Sequence, residues 1–241
     1  MSAAKVLTVI PARGGSKGVP RKNVRLVGGR PLIAWTIQCA LAARQLFHRV
    51  IVSTDDPETA EIARRFGAEA PFLRPAELAG DQVPTLPVLQ HAARFVEEAD
   101  GLTLDWVMLL QPTAPLRAPQ DIAGALELAL AGGCDSVISV VQVFDVHPIL
   151  MKRIEDGVLL PFCIEEKEGT RRQDYQPSAY MRNGAIYLTR REVLLEQNSI
   201  WGRVIHPYVM PEERSLSIDS EQHLQLADLI LSGKKISPDI S

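Results

Sequence analysis

Val6-Leu7-Thr8-Val9-Ile10-Pro11-Ala12-Arg13-Gly14-Gly15-Ser16-Lys17-Gly18-Val19-Pro20-Arg21-Lys22-Asn23 joins an apolar run to a loop with three glycines and four cations. A short apolar run that stops at a proline reads as a strand buried on both faces. Glycine lets the backbone turn tightly and expose N–H groups, and Arg and Lys add positive charge. A basic glycine loop after a buried first strand suits a parallel α/β sheet with a polyphosphate at the strand's carboxyl end. The spacing is neither a P-loop, since Val19 and Pro20 follow Gly18, nor the Gly-x-Gly-x-x-Gly dinucleotide fingerprint.

Outward from this loop, strands and helices alternate. Pro31 to Arg44 has helical spacing, and Arg49 to Ser53 is a second apolar run. Asp56-Pro57-Glu58 predicts a helix start with an Asp cap and Pro at the first position. Thr85 to Glu98 and Pro119 to Ala131 read as helices, and Trp106 to Leu110 and Ser136 to Val143 as central strands. This order predicts a doubly wound, mostly parallel sheet with helices on both faces. The rhythm breaks in 144–180, where Pro148, Pro161 and Pro177 separate short apolar pieces; a small β-rich insert is expected there. The core resumes with a strand at Gly184 to Leu188, another at Val204 to Val209, and a helix from about Ser220 to Leu231. The expected division is therefore a core of 1–143 and 181–233, an insert of 144–180, and a flexible tail of 234–241.

Composition narrows the function classes. The chain has 241 residues, 46% hydrophobic and 23% charged, which is ordinary for a globular protein. Its net charge of −3 gives no global pull toward nucleic acid or membrane, so an anion site must be local. Cys39, Cys134 and Cys163 are odd in number and form no CxxC, which reads as reduced thiols in a cytoplasmic protein. The N-terminal apolar run is too short for a signal peptide or a membrane span. The five histidines lack HxxxH or Cys/His zinc spacing, and no GxSxG elbow is present.

Polar segments flank the strands: the first loop, Thr54-Asp55-Asp56 and Gln111 to Arg117 follow theirs, Arg182-Asn183-Gly184 precedes the strand at Ala185, and Ser217-Ile218-Asp219 lies near the end. Ala12 to Asn23, the run 73–79 (Leu-Arg-Pro-Ala-Glu-Leu-Ala), 110–117 (Leu-Gln-Pro-Thr-Ala-Pro-Leu-Arg), 171–174 (Arg-Arg-Gln-Asp) and 182–187 (Arg-Asn-Gly-Ala-Ile-Tyr) together resemble the acylneuraminate cytidylyltransferases, the CMP-sialic acid synthetases. The likeness runs from about Val6 to Leu231. It implies a nucleotidyltransferase-type α/β fold whose insert serves dimerisation. It also implies coupling of CTP to the anomeric hydroxyl of a nine-carbon 2-keto sugar acid, with Mg²⁺, giving the CMP-sugar and pyrophosphate.

By that resemblance Arg13 and Lys17 hold the triphosphate, with Ser16 and the amides of Gly14 and Gly15, and Lys22 adds charge near the α-phosphate. Asn23, Arg74 and Thr85 fall around the cytidine, although Thr85 equally suits a helix cap. Gln111, Asn183 and Tyr187 fall on the sugar side, where Tyr187 also fits a core aromatic. Arg172 and Gln173, in the insert, match a segment that meets the sugar carboxylate across a dimer interface; a solvated basic turn is the other reading. Arg117 either meets ligand or braces its loop. Relatives carry Asp-Ile-Asp where this chain has Ser217-Ile218-Asp219, leaving Asp219 as the one expected metal carboxylate, unless it caps the last helix. Two alternatives stand beside this reading: a synthetase for the eight-carbon acid 3-deoxy-manno-octulosonate, and a catalytically weak nucleotide-binding relative. The first branch usually has arginine at the place of Gly18 and lacks the Arg-Arg-Gln-Asp segment.

Overall fold

The computed structural model describes residues 4–16 and 18–233. The strands are β1 (Val6–Pro11), β2 (Leu26–Val27), β3 (Arg30–Pro31), β4 (Arg49–Ser53), β5 (Trp106–Leu110), β6 (Ser136–Val143), β7 (Lys152–Glu155), β8 (Val158–Pro161), β9 (Ala179–Arg190) and β10 (Ile205–Val209). The α-helices are α1 (Leu32–Ala42), α2 (Pro57–Arg65), α3 (Thr85–Asp100), α4 (Pro119–Leu130), α5 (Arg191–Leu195) and α6 (Glu221–Leu231).

Six strands form the central sheet in the order β10-β6-β9-β5-β1-β4. β1 pairs in parallel with both β4 and β5, and β10 with β6, while β9 runs antiparallel between β5 and β6. The mostly parallel doubly wound sheet expected from the sequence is thus present, with one reversed strand. Alternation along β1 shows how both faces are covered. Val6 and Ile10 join one core with residues of α1, α2 and α4, and Leu7 and Val9 join a second with α3 and α5. The chain leaves β1 for β4 on one side, then returns to β5 on the other. That switch opens a crevice at the carboxyl ends of β1 and β5.

A third, smaller core fixes the first loop. Val19 is fully buried with Val27 and Leu32 against Ile218, Leu224 and Ala227. The basic loop is thereby packed onto the segment that carries Asp219. Gly18 sits at the contact: a Cβ there would lie 2.6 Å from the Asp219 carbonyl oxygen.

The region 144–180 is thinner than a subdomain with its own core. β6 and β9 stay paired out to Val143 and Ala179, and the excursion beyond them holds the hairpin β7–β8 and short 3₁₀ turns. Buried His147 ties the excursion down: Nε2 lies 2.8 Å from the Pro177 carbonyl oxygen, and Nδ1 accepts the Ile149 N–H at 3.2 Å. The expected flexible tail 234–241 lies outside the described residues, as does Lys17. Cys39 and Cys134 are buried, Cys163 is exposed, and all three are free thiols. No helix among the described residues is long and apolar enough to cross a membrane.

Candidate active site

The cleft at the carboxyl end of β1 gathers residues from distant parts of the chain. Its walls include Arg13, Gly15, Ser16, Lys22 and Asn23 from the first loop, Arg74 and Thr85 from the segment leading into α3, Gln111 after β5, and Asp219 before α6. A second recess adjoins it through Gln111 and Asp219, which line both. Asn183, Gly184, Tyr187 and Ser217 lie in this second recess.

Each cation in the cleft is placed by a local cause. Arg13 Nη1 donates to Asp81 Oδ1 at 2.6 Å across the cleft, and the Asn23 amide donates to the Arg13 carbonyl oxygen at 3.0 Å, closing the loop on itself. Lys22 Nζ donates to the Ile218 carbonyl oxygen at 2.7 Å, with Asp219 Oδ1 at 3.9 Å. Burial lowers the pKa of Lys22; Asp219 opposes that shift and Arg13 adds to it. Arg74 is buried and donates to the Ser53 hydroxyl at 3.1 Å and to the Ser53 carbonyl. Its pKa is lowered by burial, with Asp55 pulling it back up and Arg13 pushing it down. It is therefore a cation fixed at the end of β4, not the surface arginine its position beside Pro75 permits.

One expectation about the loop changes. The Gly14 N–H donates to Asp55 Oδ1 at 3.0 Å, so this amide is occupied inside the fold. A Cβ on Gly14 would lie 2.8 Å from the Asp56 Cβ, so this glycine answers to packing against the start of α2. Gly15, by contrast, lines the cleft and would meet nothing with a Cβ. Thr85 is the first residue of α3 and makes no cap; Pro84 holds the cap position. The last helix is capped by Ser220, whose hydroxyl accepts from the His223 N–H at 3.2 Å. That leaves the Asp219 carboxylate, with 69% of its side chain exposed, in the cleft wall.

On the second recess, Gly184 takes φ +72°, a left-handed conformation that favours glycine, and a Cβ there would stand 2.9 Å from Gln111 Oε1. Asn183 is buried and its amide group is spent internally: Oδ1 accepts the Ser139 hydroxyl at 2.6 Å and Nδ2 donates to the Ser215 hydroxyl at 2.9 Å. Asn183 holds the recess in shape more than it offers groups to it. Arg117 settles on the bracing reading. It is buried and donates to the Ala185 carbonyl at 2.5 Å, the Thr36 hydroxyl at 3.0 Å and the Gln111 carbonyl at 3.5 Å.

Arg172 and Gln173 line neither recess. Arg172 pairs with Asp145 at 2.8 Å, lies over the Phe144 ring at 5.5 Å, and lines an apolar groove beside Leu226 and Ile230 that adjoins the second recess through Met181, Ser215 and Leu216; Gln173 is exposed. Lys152 is engaged with Glu166 at 2.9 Å. Asp81 and Arg182, both in these walls, escaped the sequence reading. Asp81 lies in a Gly-Asp-Gln turn with no motif of its own; Arg182 was visible as a strand-end cation but received no role.

Comparison with known proteins gives the family and the fold. A family model described as cytidylyltransferase matches residues 7–213. The chain is 34% identical over 237 residues to the CMP-N,N'-diacetyllegionaminic acid synthase of Campylobacter jejuni, covering 98% of both chains. It is 32% identical over 233 residues to the N-acylneuraminate cytidylyltransferase of Escherichia coli O18:K1:H7, covering 95% of this chain and 53% of that longer protein. Among solved structures, a CMP:2-keto-3-deoxy-manno-octonic acid synthetase complexed with CTP shares the fold with a TM-score of 0.71 at 20% identity, over 96% of this chain and 100% of the other.

Proposed function

The chain belongs to the cytidylyltransferase family, and on that premise we propose that it couples CTP to a nine-carbon 2-keto sugar acid. The observation that carries this reading is the junction of two recesses at Gln111 and Asp219. One recess is lined by basic groups suited to a triphosphate; the other sets Gln111, Asn183 and Ser217 beside Tyr187, Met181 and Leu216, a mixed polar and apolar wall suited to a sugar. A nucleotide in the first and a sugar in the second meet where those two side chains stand.

The reaction asks for positioning and charge neutralisation more than covalent help. The anomeric hydroxyl attacks the α-phosphorus in line, and pyrophosphate departs. Arg13, freed from Asp81 by the incoming phosphates, and Lys22 oppose the negative charge, while Ser16 and the Gly15 amide offer neutral donors. Lys17, outside the described residues, belongs to the same loop. Asn23, Arg74 and Thr85 shape the nucleotide end. Tyr187 and Gln111 face the sugar, and Asn183 supports them.

The residues fit Mg²⁺ in a limited sense. No group of three or more His, Cys, Asp or Glu among the described residues could hold a metal ion. Mg²⁺ needs no such cage, because it keeps waters and binds through one or two carboxylates plus substrate phosphates. Asp219 would supply that carboxylate, and the bound ion would neutralise charge on the phosphates. The reading includes a homodimer in which the insert of one protomer, with Arg172 and Gln173, reaches the acceptor recess of its partner. What supports this arrangement is that Arg172 lines neither recess of its own chain and sits instead in the groove that adjoins the second one.

The test is pyrophosphate release with CTP and Mg²⁺ against N-acetylneuraminate, legionaminate, pseudaminate and 3-deoxy-manno-octulosonate. Turnover with a nine-carbon acid upholds the reading. Turnover confined to the eight-carbon acid transfers it to that branch. CTP binding without any turnover would point to an acid outside the panel or to a weak relative disabled at Ser217, and repeating the assay with Ser217→Asp separates the two.

A further inference from the structure

Gly80-Asp81-Gln82-Val83 makes a tight turn between the Arg74 segment and α3, closed by the Val83 N–H donating to the Gly80 carbonyl oxygen at 3.1 Å. Asp81 lines the nucleotide cleft, and its Oδ1 accepts Arg13 Nη1 at 2.6 Å from 68 positions away. The carboxylate takes no part in capping α3, where Pro84 holds the cap position and no side chain bonds to it.

Charge sets this pairing apart from its neighbours. Lys22 donates to the Ile218 carbonyl, with Asp219 no nearer than 3.9 Å, and Arg74 donates to the hydroxyl and carbonyl of Ser53. Of the described cations in the cleft wall, Arg13 is the one whose hydrogen bond goes to a carboxylate. Both side chains of the pair are part-exposed. An ion pair open to water is worth little by itself, so its partners exchange readily. A phosphate entering the cleft offers Arg13 another anion and meets Asp81 as a like charge.

We propose that Asp81 is a built-in competitor for Arg13 that weakens the hold of the cleft on CTP and on pyrophosphate. The proposal rests on the nucleotide assignment above and deepens it. Asp81 is a positioning residue that acts through Arg13. It holds the guanidinium at the cleft before a ligand arrives, yields it to the phosphates of CTP, and takes it back as pyrophosphate leaves. Only ion-pair partners are exchanged; no covalent bond changes. In the assignment above Lys22 stands near the α-phosphate and Arg13 serves the rest of the triphosphate. CMP lacks those outer phosphates and leaves the pair in place, so the cost of parting Arg13 from Asp81 falls on the polyphosphates.

The experiment is calorimetric titration of CTP, pyrophosphate and CMP, each without acceptor, into wild type, Asp81→Asn, Asp81→Glu, Arg13→Gln and the Asp81→Asn, Arg13→Gln double variant. Asp81→Asn should bind CTP and pyrophosphate roughly 3- to 20-fold more tightly than wild type, with CMP within about twofold. Asp81→Glu keeps the charge and should stay close to wild type. In the Arg13→Gln background the Asp81→Asn gain should shrink to about twofold or less, because no guanidinium is left to release. A gain of the same size in that background is a field effect of the lost charge and overturns the proposal. An equal gain for CMP overturns it too. Unchanged or weaker CTP binding in Asp81→Asn, against a wild type that binds CTP, overturns this proposal and leaves the nucleotide assignment standing. A wild type that binds no CTP overturns both.

Discussion

Lys22 reaches the cleft from the first loop with its stem covered by protein, and burial disfavours its charged form. The folded protein therefore releases the Lys22 proton at a lower pH than the 10.5 of a free lysine. The sign follows for both stability and binding. Between the folded and unfolded pKa the unfolded chain holds more protons, so this group makes stability rise with pH there. A triphosphate needs the charged form, so CTP affinity should fall on the alkaline side before an ordinary lysine would titrate. Lys22→Arg keeps its charge and should move that limb to higher pH. An alkaline limb identical in the two proteins would dismiss Lys22 as the titrating group. Gly184 makes a second point at this scale. Alanine at its left-handed φ should cost about 1–2 kcal/mol in urea unfolding, and its Cβ should displace the Gln111 amide from the junction of the recesses. The KM for the acceptor should then rise more than that for CTP; a stability loss with both KM values unchanged would show that Gln111 does not contact substrate. The sequence marked Gly184 by its neighbours alone. What demands glycine is a backbone angle and a side chain 73 positions earlier, which a linear reading does not contain.

The elements that were legible are those whose ends carry their own chemistry. Arg49–Ser53, Trp106–Leu110 and Ser136–Val143 match the sequence reading, because a central strand is apolar throughout and bounded by polar residues. The cap of α2 was equally local: the Asp56 side chain accepts the Thr59 N–H at 3.1 Å and the Thr59 hydroxyl at 2.6 Å. β9 was read only from Gly184 to Leu188, although it runs from Ala179 to Arg190. Its first half is exposed and its period is broken by the bulge, so hydrophobicity carried no signal there. Arg117 was ambiguous for a related reason: burial of an arginine depends on which acceptors surround it, and those are a carbonyl of β9, a hydroxyl of α1 and the Gln111 carbonyl after β5. Asp56 supports a prediction. Burial alone would raise its pKa, but the Thr59 bonds and Arg21 bring it below the usual 3.8. Its stabilising contribution is complete above the unfolded value and is lost as pH falls through the folded one. Asp56→Ala should cost about 1 kcal/mol at pH 7, a difference that should vanish in urea titrations near pH 2. An equal difference at both pH values would place the effect in packing against Gly14 rather than in the cap.

At the scale of the molecule, alternation of strands and helices foretold the layers, while the strand order came from elsewhere. β9 is antiparallel because the chain leaves β6 at Val143, makes the excursion, and returns alongside it at Ala179. Nothing in the composition of 144–180 states that return. The excursion itself poses the remaining question. In the hairpin β7–β8, Ile154 lies directly opposite Leu159, with 74% and 65% exposure, and Val158 and Phe162 are exposed beside them. A two-stranded hairpin is marginal by itself, and apolar side chains on an uncovered ribbon favour association. A second copy is the cover that the proposed shared recess requires, since it would also bring Arg172 toward the acceptor. Light scattering at micromolar concentration should then give a dimer. Ile154→Lys combined with Leu159→Lys should give a folded monomer that binds CTP as wild type does but shows a higher KM for the acceptor acid. A wild-type monomer would remove the shared recess and leave Arg172 to its pair with Asp145. A monomeric double variant with an unchanged acceptor KM would keep the wild-type dimer but confine acceptor recognition to one protomer.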